Sequence, residues 1–291
     1  MDNFKIISDT SCDLPREIIE KYDIGLVSFY ITFDGGASYV KEGAELSVDE
    51  LYEKMTVKGV FPKTSLPSMM DYADAFKPYL EEGRDVLCIC LSSEFSGSYQ
   101  SAVNASQMLM DEFPDRKIKV VDSRLATLLQ GILVNDAAEY RDEGKSLDET
   151  YDLLESYKDL SRAFITVDTL EYLQKGGRVG KAQALAGGIL NIKPIIVLEG
   201  GALAPHSKAR GRKKAIAEVV DISLEYIKGK EDQYRVWLLG NGIGFDEDID
   251  LLNELAKEKG IKTLGFGKIG STITVHAGPG LIGLAIVPKK A

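Results

Sequence analysis

The chain has 291 residues, a length that accommodates one large domain or two of moderate size, each with its own core. Hydrophobic residues make up 44% of the chain and charged residues 27%, as in an ordinary globular protein. The formal net charge of −10 argues against a nucleic-acid-binding protein, because such proteins need a basic face to neutralise phosphates.

The distribution of apolar residues predicts a cytoplasmic protein. The N-terminal segment begins with an acidic residue at position 2 and has no long apolar stretch, so we expect no secretory signal. The most apolar segment, residues 184–204, is interrupted by Lys193, Pro194 and Glu199 and is not expected to span a bilayer. The three cysteines are too few for a disulfide framework.

The first half of the chain alternates strand and helix patterns. Apolar runs predict strands at residues 4–9, 26–33, 38–43, 85–93 and 117–123. Helical spacing follows at residues 14–22, 48–55, 98–113 and 126–144, and another helix is expected after Ser68. Ser47 with Glu50, and Ser68 with Asp71, are capping pairs that mark helix starts. Such alternation predicts a parallel sheet covered by helices.

The second half is predicted to be richer in strands. Strands are expected at residues 162–167, 195–200, 234–241, 262–267, 271–276 and 283–287. Helices are expected at residues 169–175, 181–191 and 213–228, and Asp168 with Glu171 is a capping pair that marks the start of the first. The sequence therefore predicts an α/β protein of two domains. Residues 1–160 would form an N-terminal α/β/α domain with a parallel sheet, and residues 161–291 a C-terminal α/β domain with a mixed or antiparallel sheet.

Two glycine-rich segments resemble phosphate-binding motifs, but their surrounding residues argue against a phosphate-binding site. The segment GFGKIG matches G-x-G-x-x-G, but a strand-like run rather than a helix follows it, and no acidic residue stands about twenty positions later. The segment GGRVGKA lacks a Walker glycine and has Ala182 where a hydroxyl is required. With two histidines and no Cys/His cluster, neither a nucleotide nor a metal cofactor is expected.

Three short segments bring together small polar groups. Thr64 and Ser65 lie just ahead of a helix, and Ser96 and Gly97 lie between a strand and a helix, where free N–H groups favour an anion. His276 ends the run STITVH, which we interpret as a strand. Taken one at a time, the hydroxyls are most simply helix caps and the histidine a structural hydrogen-bonding group.

Seven sequence blocks, in order and over nearly the whole chain, resemble the DegV family of fatty-acid-binding proteins, the carrier subunits of bacterial fatty acid kinases. The blocks are SDTSCDLP, TSLPS, LSSEFSGSYQSA, VDSR, DTLEYLQKGGRVGKAQALAGGILNIKPII, KARGRKKAI and HAGPGLIG. The resemblance implies two α/β domains with an acyl chain between them. It also implies that Thr64, Ser96 and His276 hold the carboxylate of a long-chain fatty acid, with Arg178 near the mouth of the site.

The residues that would line a tunnel for the acyl chain are harder to derive from the sequence. Small residues are frequent at 184–190 and 277–287, where they would leave room for an alkyl chain. Close packing of a helix on a sheet explains the same composition equally well.

A basic segment within this acidic protein needs a separate explanation. It contains Lys208, Arg210, Arg212, Lys213 and Lys214. A solvated helix start is the simplest interpretation, although cations there oppose the helix dipole. The resemblance implies instead that Arg210, Arg212 and Lys213 face an ATP-binding fatty acid kinase subunit or the phosphate formed on the acyl group. A transient contact with an anionic membrane surface is an alternative.

Two classes of function follow. The leading hypothesis is a carrier without catalytic activity, which presents a fatty acid to a separate kinase. The alternative is a serine hydrolase with Ser96 as nucleophile and His276 as base, although Ser96 lacks the G-x-S-x-G context and no acid is clearly placed to orient the imidazole. Cys12 is a weaker nucleophile candidate, and a buried or capping role is favoured.

Overall fold

The computed structural model describes residues 4–186, 191–241 and 244–290. The strands are β1 (Lys5–Asp9), β2 (Gly25–Val27), β3 (Tyr30–Thr32), β4 (Val40–Lys41), β5 (Lys63–Ser65), β6 (Val86–Cys90), β7 (Ile118–Asp122), β8 (Arg162–Thr166), β9 (Ile192–Glu199), β10 (Ala202–Arg210), β11 (Tyr234–Gly240), β12 (Thr263–Lys268) and β13 (Ile282–Pro288). The helices are α1 (Arg16–Lys21), α2 (Val48–Thr56), α3 (Met69–Glu81), α4 (Ser98–Glu112), α5 (Thr127–Asp142), α6 (Leu147–Tyr157), α7 (Glu171–Lys175), α8 (Arg212–Ile227), α9 (Asp246–Glu258) and α10 (Ser271–Ala277).

The first half of the chain builds a parallel sheet and a small antiparallel one. The parallel sheet has the strand order β2-β1-β6-β7, and all its neighbours run in the same direction. The small sheet has the order β4-β3-β5. The predicted strand at residues 26–33 is therefore two strands, because β2 pairs with β1 whereas β3 forms a hairpin with β4 and pairs with β5. The small sheet positions the segment that contains Thr64 and Ser65.

The second half builds a six-stranded mixed sheet with the order β10-β9-β8-β13-β11-β12. Every neighbouring pair is antiparallel except β11 and β12. The predicted fold class, α/β with a parallel sheet followed by a mixed sheet, is confirmed.

Helix α5 links the parallel and mixed sheets. Twelve of its 16 residues are buried, so almost no face of this helix meets solvent. It belongs to one continuous hydrophobic core that includes Ile6 and Leu87 of the parallel sheet and Ile165 and Ala285 of the mixed sheet. A helix that is buried on all sides needs apolar partners on both flanks, and the two sheets supply them.

Two of the three helix starts marked by capping pairs are confirmed, whereas the pair Asp168 and Glu171 is wrong, because α7 starts after Leu170 without a side-chain cap. Ser47 with Glu50 caps α2 and Ser68 with Asp71 caps α3, each as a reciprocal capping box. The same motif, Ser146 with Glu149, starts α6, a helix that the sequence analysis did not identify. Helix α9 was also missed, in a region predicted to be mostly strand.

The predicted strand at residues 271–276 is wrong, because these residues form helix α10. Their β-branched side chains favour a strand, but tertiary contacts outweigh that weak preference. Val275 packs into a small core under the small sheet, and the Thr272 N–H is bound by the distant Glu42 carboxylate. A helix start therefore does follow GFGKIG, so the expectation of a strand after this motif is wrong. The absence of an acidic residue about twenty positions later still argues against a dinucleotide-binding motif.

Two other predictions about the second half need correction. The predicted helix at residues 181–191 is a 3-10 helix at Gly180–Leu185, and residues 187–190 lie outside the described part of the chain. The basic segment is not a simple helix start, since it is divided between the end of β10 and the first turn of α8. Within the described ranges, no helix combines the length and apolar character needed to cross a bilayer.

Candidate ligand-binding cavity

A cavity of about 230 Å³ lies between the two halves of the chain. Its wall is mostly apolar and draws on both halves. The apolar lining consists of Phe29, Leu66, Leu91, Phe95, Ala126, Ala163, Ile165, Val167, Leu173, Leu198, Leu203, Leu239, Ile273, Ala277 and Leu281. The remaining lining residues are polar or charged, namely Thr64, Ser65, Ser96, Thr127, Arg178, Thr272 and His276. The predicted site residues Thr64, Ser65, Ser96, Arg178 and His276 are thus brought to one cavity.

The small sheet places the first polar group. Thr64 and Ser65 lie on β5, where Thr64 is registered opposite Ile31 and Ser65 opposite Tyr30 of β3. The Thr64 hydroxyl is 2.7 Å from the Nε2 atom of His276, a contact between residues 212 positions apart. A strand of the first half and a helix of the second half therefore meet at this hydrogen bond.

His276 lies in the last turn of α10 and not at the end of a strand. Thr272, Ile273, His276 and Ala277 all line the cavity, and their spacing places them on one face of the helix. The backbone of Gly176 lies directly behind the ring, where an added Cβ would be 2.3 Å from His276 Nδ1. Glycine at position 176 is what allows the imidazole to fit.

The imidazole of His276 is neutral at physiological pH. Burial and, as a smaller contribution, the positive charge of Arg178 lower its pKa from 6.5 to about 4. Its buried Nδ1 atom has no hydrogen-bond partner among the described residues. Because an unpartnered buried N–H is rarer than an unpartnered acceptor, we assign the proton to Nε2, which then donates to Thr64. The hydroxyl proton of Thr64 is left available to the cavity.

Ser96 contributes a second hydroxyl from the loop between β6 and α4. It is buried, with 9% of its surface exposed, and its Oγ accepts a hydrogen bond of 3.1 Å from the Ser98 N–H. Within the described residues this hydroxyl donates to no other group, so its proton is also available. Gly97 is the N-cap residue of α4 but does not line the cavity, and Leu66 packs beside it.

Arg178 stands at the solvent side of the site. Its Nε donates to the Phe95 carbonyl at 3.0 Å and its Nη1 to the Gly176 carbonyl at 2.6 Å. The residue is exposed while it also lines the cavity. The side chain thus connects the loop before α4 to the segment behind His276, at the edge of the polar end.

The cavity wall includes parts that the sequence analysis did not predict. Of the small-residue segments proposed for a tunnel, the second contributes Ala277 and Leu281, whereas residues 184–186 are not in the lining and residues 187–190 are not described. Thr127 and Thr272 were missed because a lone threonine in a helix carries no local signal for a cavity.

The basic segment lies apart from the cavity lining. Arg212 is occupied, because its Nε pairs with Asp248 at 2.7 Å and its Nη1 donates to the Gly280 carbonyl at 2.7 Å. Arg210 and Lys213 are exposed. Of the three cations proposed to contact a partner, these two are the more accessible.

The geometry offers no support for a hydrolase. The Nε2 atom of His276 bonds Thr64 and not Ser96, and no described carboxylate orients Nδ1. Cys12 is buried without disulfide partner, and burial raises the pKa of its thiol to about 12, which removes its value as a nucleophile.

The fold and the cavity define an α/β protein in which two sheets enclose an apolar space with a polar end. A family model described as an uncharacterised protein of the DegV family matches residues 3–289. The chain belongs to the DegV family, as its sequence blocks suggested.

Individual relatives agree with this assignment. A DegV domain-containing protein of Clostridium perfringens is 32% identical over 97% of this chain and 96% of its own length. The crystal structure of a stearic acid-binding protein from Eubacterium ventriosum is 34% identical, with a TM-score of 0.93 and 99% coverage of both chains. A fatty-acid-binding DegV protein from Thermus thermophilus is 32% identical, with a TM-score of 0.87 over 98% of this chain and 99% of its own.

Proposed function

We propose that this protein binds a long-chain fatty acid, with the alkyl chain in the cavity and the carboxylate at its polar end. The observation that carries the proposal is the convergence of Thr64, Ser96 and His276 on one mainly apolar cavity. Two similar structures, those of a stearic acid-binding protein and of a DegV protein that binds fatty acid, support the same ligand class.

The energetics of an acyl chain suit this site. A chain of palmitate length buries some fifteen methylenes at about 0.8 kcal/mol each, a gross gain of the order of 12 kcal/mol before ordering costs. A carboxylate that enters with the chain would cancel much of this gain unless hydrogen-bond donors meet it. The polar end must therefore supply donors.

The available donors are neutral groups. The hydroxyl protons of Thr64 and Ser96 are not committed to other described residues, and the N-terminus of α4 adds a favourable dipole beside Ser96. His276 orients the Thr64 hydroxyl through their hydrogen bond. We assign Ser65 and Gly97 supporting positions in the headgroup site and Arg178 a place at its mouth.

We further propose that the protein is a carrier subunit which presents the carboxylate to a separate ATP-dependent kinase in the cytoplasm. The partner would transfer the γ-phosphoryl group of ATP to the presented carboxylate and release ADP, and this chain would supply no catalytic group. Arg210 and Lys213, together with Arg212, would face the kinase or the new phosphate. A transient contact with an anionic membrane surface would deliver the fatty acid.

The binding step is tested directly with delipidated protein incubated with mixed fatty acids. Native mass spectrometry should show about one chain retained per protein monomer. Ser96→Ala should weaken retention by about 1–3 kcal/mol, since a charged acceptor loses a donor. Ser93→Ala is the matched control, because its hydroxyl bonds Asp122 on the outer side of the same loop. Protein that stays empty with every fatty acid would refute the proposal.

The kinase step needs a second measurement. Arg210→Ala should retain fatty acid as the wild type does and reduce acyl-phosphate formation with an ATP-dependent fatty acid kinase. Lys181→Ala, another exposed cation, serves as the control. Equal loss of retention and phosphorylation in Arg210→Ala would contradict a docking role.

A further inference from the structure

The start of helix α10 is held by a carboxylate from the other half of the chain. Glu42 follows β4 and is 6% exposed. Its Oε1 accepts the Thr272 backbone N–H at 2.7 Å, and its Oε2 accepts the Thr272 hydroxyl at 2.7 Å. The Thr10 hydroxyl donates to the same Oε2 at 2.6 Å. Glu42 therefore takes the place of a local helix cap, although 230 residues separate it from Thr272.

A second carboxylate, that of Asp13, meets the same turn. Asp13 is partly exposed as a residue, but its carboxylate points inward and accepts the Thr127 hydroxyl at 2.5 Å. Both Asp13 and Thr127 have left-handed backbone conformations, with φ of 50° and 51°. For a β-branched threonine this conformation is costly, so the surrounding contacts hold it in place.

The two carboxylates converge on Gly270, the N-cap residue of α10. A Cβ on Gly270 would lie 2.0 Å from Asp13 Oδ1 and 3.4 Å from Glu42 Oε1. Glycine is required here because the Asp13 carboxylate occupies the space that a Cβ would take, whereas Glu42 Oε1 lies at ordinary contact distance. Two acidic side chains thus face the start of the helix that carries His276.

No described cation compensates this pair. Asp13 and Glu42 also line a surface groove beside the pair. The cations that line this groove have other partners: Lys268 pairs with Asp49, Arg16 with Glu20 and Arg235 with Asp136. The other titratable groups facing the pair and the groove are Asp9, Cys12, Glu45 and Glu50. Asp9 adds negative charge, and the thiol of Cys12 stays neutral because its pKa is raised to about 12.

Burial raises the pKa of Asp13 well above its usual value, and the charge of Glu42 raises it further. Burial likewise raises the pKa of Glu42, against the opposing effect of its hydrogen bonds to Thr10 and Thr272. The groove beside both residues, about 1,110 Å³ in volume, gives protons a route to the pair. The pair binds protons more strongly when it is enclosed than when it is exposed to water.

We propose that Asp13 and Glu42 are positioning residues that clasp the start of α10 and make the opening of the cavity depend on proton occupancy. The role in ligand retention rests on the proposed fatty-acid function. Thr272, Ile273, His276 and Ala277 line the cavity from α10, so release of the clasp moves part of the cavity wall.

The direction of the effect follows from linkage. The enclosed carboxylates have raised pKa values, so lowering the pH stabilises the closed state and raising the pH favours opening. Each unit of difference in pKa between the closed and open states changes the opening equilibrium tenfold at high pH. His276 does not contribute between pH 5.5 and 8.5, because its pKa is about 4.

Hydrogen exchange of the backbone amides in residues 271–277, measured on ligand-free protein from pH 5.5 to 8.5, tests the clasp. After correction for intrinsic exchange, opening of the wild type should increase tenfold or more as the pH rises. Glu42→Gln retains an acceptor for Thr272 but removes one charge. The opening equilibrium of residues 271–277 in Glu42→Gln should be at least threefold smaller than in the wild type at pH 8.5. At pH 5.5 the two opening equilibria should differ less than twofold.

Asp13→Asn should behave in the same way, since asparagine tolerates the left-handed conformation. Glu45→Gln is the matched control, because this exposed carboxylate lies on the same segment and should leave the profile unchanged. A purely structural role would make Glu42→Gln open more than the wild type at every pH with an unchanged slope. That result, or a flat wild-type profile, would overturn the proposal.

Release of a pyrene-labelled fatty acid, measured over the same pH range, connects the clasp to ligand retention. Release from the wild type should accelerate with pH by the factor found in hydrogen exchange, and Glu42→Gln should reduce that acceleration. Pyrene release with no pH dependence beside pH-dependent exchange would refute control of retention. Absence of any bound probe would instead refute the fatty-acid proposal, while the exchange experiment still tests the clasp.

Discussion

Two buried carboxylate clusters connect the halves of this molecule, and they differ in how their charge is balanced. Asp136 of α5 is fully buried and receives a two-pronged contact from Arg235 of β11, with distances of 2.7 and 2.5 Å. Asp13 and Glu42 receive hydroxyl and N–H donors but no cation among the described residues. A carboxylate paired with a cation holds two elements together over a wide pH range. We expect the contact made by the pair without a cation to depend on whether its carboxyl groups are protonated.

The largest effect is expected at the compensated cluster. Asp136→Ala should lower the free energy of unfolding by about 3–5 kcal/mol, because Arg235, whose side chain is only partly exposed, loses its carboxylate partner. Denaturant unfolding measures the loss. The double variant Asp136→Ala/Arg235→Met should recover part of it, since no orphan charge remains. Equal stability of Asp136→Ala and the wild type would remove the distinction between the clusters.

The acid sensitivity of His276 should be the next largest effect. Its folded-state pKa is lowered, so its contribution to stability is complete above about pH 6.5 and is lost as the pH falls through 4. The loss relative to His276→Gln should approach about 3 kcal/mol, at 1.36 kcal/mol for each unit of pKa shift. Unfolding curves for both proteins at several pH values measure it. Parallel curves for the two proteins would contradict a buried neutral imidazole.

Gly176→Ala tests the fit of the imidazole. The added methyl would stand 2.3 Å from His276 Nδ1, so we expect a loss of about 1–3 kcal/mol in stability and weaker fatty-acid retention. The backbone at Gly176 has an ordinary φ of −76°, so alanine adds no backbone strain. In a His276→Ala background the same substitution should be nearly neutral. An equal cost in both backgrounds would place the clash elsewhere.

The smallest effect is expected at the uncompensated pair. Glu42→Gln should raise the stability at pH 8.5 by about 1 kcal/mol, because one buried charge and its repulsion of Asp13 are removed. Near pH 5.5 the gain should shrink, since the raised pKa values of Asp13 and Glu42 favour protonation of the wild-type pair as the pH falls. Thermal unfolding at both pH values measures the difference. A stabilisation by Glu42→Gln that grows as the pH falls would contradict the expectation that the pair carries more negative charge at pH 8.5 than at pH 5.5.

Much of the site was predictable because its residues lie in short local motifs. The loop containing Ser96 follows a buried strand and precedes a helix, and the TSLPS block places Thr64 beside a capping box. Those patterns, with the DegV resemblance, led to Thr64, Ser96 and His276, which the structure brings to one cavity. The elements that the sequence did not predict correctly are those whose conformation depends on distant partners, above all α10.

By itself, the sequence determined the α/β class, the order of the parallel and mixed sheets, the capped helix starts and the family. The structural features depend on periodicity and on contacts between residues three or four positions apart, which a linear pattern records, whereas the family follows from the resemblance of the sequence blocks. Only the tertiary structure decided that residues 271–277 are a helix, that Thr64 bonds His276, and that Asp13 and Glu42 meet at Gly270. The physical reason is that these contacts join residues more than 200 positions apart, where no local preference specifies the partner.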